Sequence, residues 1–207
     1  MTTEKLYDQD SHPIMLVISG PSGVGKDTIA RALIERDPDR FYFVVTATNR
    51  PPREGEVQGR DYFFVSTNEF AQMIEEDELL EYAVVYNDFK GVPKQQIRDA
   101  LASNRDVIMR VDVQGAATIR KLVPNAIFVF LVTETEADLD KRLRARRSET
   151  TEDLKLRIAT ARQEMKRIKE FDYVVINADG YQERAVDQIF SIIEAAHCRV
   201  DQSPIKL

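Results

Sequence analysis

The sequence predicts an α/β fold: a parallel sheet flanked by helices on both faces and carrying a small mixed α/β insertion. Apolar runs of strand length recur at 14–19, 42–46, 61–65, 82–86, 107–112, 126–132 and 173–176, with helical patterns between many of them. Each run is largely apolar rather than alternating, as strands buried on both faces are. At 207 residues, 43% hydrophobic and 31% charged, the chain suits one large domain or a core with one or two small inserted subdomains.

The first run, Ile14–Ser19, breaks into Gly20-Pro21-Ser22-Gly23-Val24-Gly25-Lys26-Asp27-Thr28 and then into a helical pattern. A G-x-x-x-x-G-K turn between strand and helix wraps phosphate groups: glycines let backbone N–H groups converge, the lysine adds a point charge, and the helix start adds its positive dipole end. The Ser or Thr that normally follows the lysine and touches Mg²⁺ is Asp27 here. The loop indicates a nucleotide phosphate and leaves the nucleotide and the reaction open. A tight βα turn with an exposed lysine would share its spacing.

After the run at 42–46 the rhythm changes. The segment 46–92 is turn-rich at Arg50-Pro-Pro-Arg53-Glu-Gly-Glu-Val-Gln-Gly-Arg60, then shows short strands and one helix. Ser66-x-x-Glu69 is a capping-box text opening a helix over 67–76. Pro93 suits the first position of a helix over 93–103. Thr133-x-x-Glu136 reads as a second capping box opening 134–146, and Leu154, Ile158, Ala161, Met165 and Ile168 make one apolar face of a helix from about 152 to 169. Residues 199–207 are patternless and read as a loose tail.

The net charge of −6 argues against broad binding to nucleic acid or anionic membrane, and no apolar run reaches the ~18–20 residues of a membrane helix. Cys198 is the only cysteine, which leaves no intramolecular disulfide and no thiol metal site and suits a reducing compartment. The histidines, His12 and His197, supply no triad or histidine metal centre. The leader 1–10 is polar and acidic, unlike a signal or transit peptide, so a cytoplasmic location is expected, or an organelle matrix if a targeting segment was removed.

Arg50 and Arg53, stiffened by the proline pair and followed by Asp61-Tyr62, suit fork-like donation to an anion, though a solvated basic turn has the same text. Taken alone, Glu81 reads as a strand-edge acid and Asp112 as a strand-end residue bonding a turn. The cluster Arg142-Leu-Arg144-Ala-Arg146-Arg147 is compatible with a solvated face.

Taken together, Ser19-Gly-Pro-Ser-Gly-Val-Gly-Lys26, the Thr46–Phe64 block with Arg-Pro-Pro-Arg, Gly-Glu and Asp-Tyr, Glu81-Tyr-Ala and Asp112-Val-Gln-Gly closely resemble guanylate kinase, in order and spacing, over about 14–196. Gly25-Lys-Asp-Thr, Lys90-Gly-Val-Pro-Lys-Gln-Gln-Ile and Arg110-Val-Asp-Val-Gln-Gly-Ala-Ala are similar to the organelle-targeted branch found in plants. The resemblance implies a P-loop kinase core (about 14–45, 93–133 and 170–197), a GMP-binding insertion (about 46–92) and a helical lid (about 134–169). It implies ATP and GMP as partners, Mg²⁺ carried with ATP, and a monomer or homodimer.

Carried over position by position, ATP would be held by Gly20, Pro21, Ser22, Gly23, Val24, Gly25, Lys26, Asp27, Thr28 and Asn177. The acceptor phosphate would fall to Arg50, Arg53 and Tyr62 with Thr46, and guanine to Glu81 and Asp112, whose carboxylates suit its N1–H and N2 amino donors. Lys26, Arg142, Arg146 and Arg157 would bear on the transferred phosphoryl. Three positions depart from the family's text. Asp27 would meet Mg²⁺ through water, Lys90 replaces a phosphate-binding tyrosine, and Val92 replaces a guanine-bonding hydroxyl. Arg110 also replaces a common acid, without an account at this level. Two other readings follow: a kinase of another nucleoside monophosphate, and a non-catalytic scaffold of the same fold, against which the intact loop and arginines speak.

Overall fold

The computed structural model describes residues 12–85, 88–145 and 151–207. In chain order the elements are β1 (Met15–Ser19), α1 (Lys26–Arg36), β2 (Phe41–Phe43), β3 (Ala47–Thr48), β4 (Phe63–Phe64), α2 (Thr67–Glu75), β5 (Leu79–Val85), β6 (Asp88–Pro93), α3 (Lys94–Ala102), β7 (Asp106–Arg110), α4 (Val113–Leu122), β8 (Ile127–Val132), α5 (Glu136–Arg144), α6 (Thr151–Met165), a 3₁₀ turn (Ile168–Glu170), β9 (Tyr173–Ile176) and α7 (Gln182–His197).

Five strands form the core sheet in the order β2-β7-β1-β8-β9, and every neighbouring pair is parallel. Alternation along each strand divides the core in two. Leu16, Ile18, Val129 and Leu131 share one cluster with Ile29 and Leu33 of α1 and Ile189 and Ile193 of α7. Met15, Val17, Met109 and Phe128 lie in the other with Ile97 of α3 and Ile119 of α4. Both faces of the central strands β7, β1 and β8 are therefore covered, as their unbroken apolar runs predict. Tyr173, Val174 and Ile176 of the edge strand β9 are instead exposed.

The insertion has its own sheet, ordered β4-β3-β6-β5, parallel between β3 and β4 and antiparallel elsewhere. Phe70 of α2 packs over it with Ala47 and Leu79. The capping box at Ser66 and Glu69 forms as the text predicts, each residue bonding the other's backbone N–H.

Several boundaries shift. The α5 cap moves two residues on: Thr135, not Thr133, is the N-cap, with Asp138 completing the box. Strand β8 runs to Val132 and Thr133 turns its hydroxyl to the Thr135 carbonyl at 2.8 Å, so the chain is free to turn helical only afterwards. Pro93 ends β6 and caps α3 rather than starting it. The helix expected over 152–169 ends at Met165, and Ile168 falls in the 3₁₀ turn, packed with Phe130 and Val113. The tail is anchored: Asn125 donates to the Ser203 carbonyl at 3.0 Å, and Ile205 packs against the core.

Candidate active site

Parallel sheets place ligand sites outside the carboxyl ends of their strands. Here β1 ends at Ser19, β7 at Arg110, β8 at Val132 and β9 at Ile176, and one cleft of about 510 Å³ opens above β1 and β7. Its lining joins the phosphate loop, the arginine arm of the insertion, and α6.

Gly20 turns the chain at the end of β1 with φ +132°, and a β-carbon there would collide with the carbonyl oxygen of Leu131. Only glycine fits that turn. Lys26 opens α1 and folds back on its own loop, donating to the carbonyls of Gly20 at 2.6 Å and Pro21 at 2.9 Å. Burial lowers its ammonium to about 8, against the pull of Glu164 and Asp27. Asn177, 1% exposed, holds the loop from behind: its amide donates to the Val24 carbonyl at 2.8 Å. Arg142 reaches the same carbonyl at 3.2 Å, bonds the Asn177 carbonyl at 2.8 Å and pairs with Asp179. Arg157 of α6 reaches the Ser22 hydroxyl at 3.2 Å. Pro21 and Val24 thus contribute backbone, while Gly23, Gly25 and Thr28 line the cleft. Arg146 and Arg147 lie outside the described residues.

Across the cleft, Arg50 is buried and forks onto Glu56 at 2.7 and 2.6 Å, while its guanidinium stacks 4.7 Å from the Tyr62 ring centroid. The Arg53 N–H donates to Glu56 at 2.7 Å, which folds the Arg-Pro-Pro-Arg turn around that acid. Thr46 and Lys90 complete this wall. Deeper in, Glu81 is 6% exposed with Oε2 unpartnered, and Gly115 at the start of α4 leaves room for its carboxyl. Burial, aided by the negative charge of Asp112, pushes the Glu81 carboxyl up to about 8. Asp112 caps α4, accepting the N–H groups of Gln114 at 2.8 Å and Gly115 at 2.9 Å, and also lines the cleft.

Val92 departs from its expected place at the base. It is fully buried and packs into the core cluster of Val44, Leu80 and Ile97 rather than lining the cleft. An aliphatic side chain gains nothing from facing a polar ligand and follows the hydrophobic floor instead. Of the lining residues to which the sequence assigns no role, two bear on the phosphate loop. Glu164 of α6 has a buried, unpartnered Oε2, and burial pushes its carboxyl above the usual range despite Lys26 nearby. Its position seven residues after Arg157, two helical turns on the same face, was the signal for it. Arg110, the other, is buried against Asp27.

Residues 12–196 match the family model described as guanylate kinase. The chain belongs to the guanylate kinase family. Guanylate kinase 2, chloroplastic/mitochondrial, of Oryza sativa subsp. japonica is 53% identical over 196 residues, 94% of this chain and 68% of that protein. The guanylate kinase of Caldanaerobacter subterraneus subsp. tengcongensis is 42% identical over 190 residues, 92% of this chain and 91% of that one. The crystal structure of guanylate kinase from Anaplasma phagocytophilum superposes with a TM-score of 0.77 at 26% identity, covering 93% of this chain and 90% of that chain. This guanylate kinase fold thus brings the loop and the arginine arm into the lining of one cleft.

Among the described residues no three His, Cys, Asp or Glu side chains gather as a metal cage. The donor set fits a Mg²⁺ ion borne mainly by nucleotide phosphates and water, as is usual for this ion, with the half-exposed Asp27 carboxylate as the acid in the loop.

Proposed function

We propose that this member of the guanylate kinase family transfers the γ-phosphoryl group of ATP to GMP and dGMP, giving ADP and the nucleoside diphosphate. The observation that carries the reading is one cleft whose lining brings together Lys26, Arg50, Arg53, Tyr62 and the Glu81 and Asp112 carboxylates.

Arg50, Arg53, Tyr62 and Thr46 hold the acceptor phosphate, with Lys90 as an undirected point charge. Glu81 and Asp112 accept from the N1–H and N2 amino group that guanine presents. The acceptor phosphate, with a second pKa of about 6, is mostly dianionic near neutrality, so it attacks without a general base. Catalysis reduces to aligning two polyanions and spreading positive charge over the transferred group. Lys26 leaves the carbonyls of Gly20 and Pro21 for the donor phosphates, and Arg142, Arg146 and Arg157 of the lid neutralise the transferred phosphoryl. Mg²⁺ carried with ATP would add charge neutralisation to the donor phosphates, and Asp27 is the residue that would hold it through water. Closure of the lid excludes water that would hydrolyse ATP.

Lys90 favours a second reading in part: it lines the cleft where a tyrosine would direct the acceptor phosphate, and a point charge positions that phosphate less strictly, which loosens the choice among monophosphates. ADP release measured with GMP, dGMP, IMP and AMP tests both. GMP and dGMP are expected to be the fastest substrates, with measurable IMP turnover. Faster AMP turnover would favour the other kinase, and turnover of none would favour a scaffold. Among the described residues no helix is long and apolar enough to cross a membrane, and the likeness to a chloroplastic/mitochondrial protein supports an organelle matrix as well as the cytoplasm.

A further inference from the structure

Arg110 projects from the end of β7 into the space between the two walls of the cleft, yet the transfer described above assigns it no phosphate. Its side chain is buried and makes contacts in three directions. Nε faces Oδ1 of Asp27 in the first turn of α1. Nη2 donates to the carbonyl of Asp61 at 2.6 Å. The guanidinium lies 4.3 Å from the Tyr62 ring centroid and 5.5 Å from that of Phe43. Arg50 also lies over the Tyr62 ring, 4.7 Å from its centroid. The Asp61 carboxylate reaches the same helix by another route, pairing with Arg31 of α1 while it accepts the Val57 N–H and Arg60.

We propose that Arg110 is a positioning residue that couples the two nucleotide sites: it joins Asp27 of the phosphate-loop helix to Asp61 and Tyr62 of the acceptor arm, so that filling one site tightens the other. A guanidinium is planar and rigid, so the group that donates to the Asp61 carbonyl beside Tyr62 cannot follow a displaced arm without drawing its charge away from Asp27. When an acceptor phosphate holds the arm in place, Arg110 stays against Asp27 and offsets its charge. The donor phosphates then meet a neutralised carboxylate. With the arm displaced, the Asp27 charge is less compensated and repels donor phosphates that reach it with no metal ion between, so the coupling is read with metal-free ADP. The coupling is therefore positive, and linkage makes it equal in both directions.

This inference rests on the assignment of the cleft to a donor and an acceptor nucleotide, and calorimetry with the unreactive pair ADP and GMP keeps the two claims apart. GMP titrated alone tests the acceptor site; no GMP binding would remove that assignment and this inference with it. Metal-free ADP titrated with and without saturating GMP then gives the coupling factor, expected at about 5- to 20-fold for the wild type. Arg110→Met is expected to reduce it below about twofold, and Arg110→Lys, which keeps the charge without the fork, to give an intermediate value. Because the factor is a ratio, a purely structural defect that weakens both sites equally leaves it unchanged. Asp27→Asn cuts the same link from the other end and is expected to lower the factor likewise, which serves if Arg110→Met does not fold. A wild type without coupling, or variants that keep it, would overturn the proposal.

Discussion

Glu81 rests against Gly115 so closely that a β-carbon on that glycine would stand 2.9 Å from the Glu81 carboxyl carbon. The first turn of α4 and the acid of β5 proposed to read the base are thus fitted to each other. Gly115→Ala is expected to push the carboxyl out of place and raise the GMP KM about tenfold while the ATP KM changes less than twofold, in steady-state rates. An equal rise in both would mean that the substitution disturbs the whole cleft.

The Glu81 carboxyl, pushed up to about 8, is mostly protonated in the empty site at neutral pH, whereas guanine donors require the carboxylate. GMP binding at pH 7 is therefore expected to release nearly one proton, and affinity to rise as pH approaches about 8 and then level off. The acceptor phosphate has completed its own titration below this window. Calorimetry in buffers of different ionisation enthalpy reads the proton directly. Glu81→Gln should bind GMP more weakly and release none.

Asn177 spends its buried amide on the Val24 carbonyl at 2.8 Å. Asn177→Ala leaves that oxygen to Arg142 alone and is expected to raise the ATP KM about 5- to 20-fold, the effect of losing ~1–2 kcal/mol of loop support, with the GMP KM nearly unchanged. A shift confined to GMP would place Asn177 in some other role.

Asp27→Ser leaves the buried Arg110 without its ionic partner. A loss of about 1–3 kcal/mol is expected in urea unfolding, below the cost of a fully buried pair because Asp27 is 47% exposed. The Mg²⁺ concentration for half-maximal rate should shift at least about threefold if Asp27 holds the ion through water. An unshifted titration takes Asp27 out of metal handling.

Far from the cleft, Asp106 anchors β7, accepting from the Ile14 N–H at 2.9 Å and Arg40 at 3.0 Å and bonding His197 at 2.8 Å. Burial alone would raise its carboxyl, but His197, the Ile14 N–H and Arg40 outweigh burial and hold it below the usual range. Its contribution to stability is complete above the unfolded pKa of about 3.9 and is lost as pH falls through the lower folded value. Asp106→Asn is expected to cost about 2–4 kcal/mol at pH 7 and progressively less below pH ~4, by urea unfolding. A pH-independent penalty would refute the charge-based account.

The loop, the arginine arm and the core sheet were legible because each is written locally: an apolar run meeting glycines, a proline-stiffened arginine pair, strands without alternation. The α5 cap was misread by two residues because Thr133 and Thr135 each precede an acid at the same spacing, and only the length of β8 decides between them. Arg110 was opaque for a different reason. Its meaning lies in Asp27, Asp61 and Tyr62, remote in sequence and adjacent only once β7 lies beside β1. Val92 was assigned by analogy to the ligand, whereas its chemistry belongs to the floor beneath it.

The Tyr62 ring, within 5 Å of the guanidinium groups of both Arg50 and Arg110, has one more use. The chain contains no tryptophan, so its near-ultraviolet emission comes from seven tyrosines alone. A phenol beside two cations in the cleft is an optical probe already in place. Mixing GMP with the unlabelled enzyme should change that emission within the dead time of chemistry, and Tyr62→Phe should silence it. Arm movement can then be timed separately from phosphoryl transfer, with no dye attached.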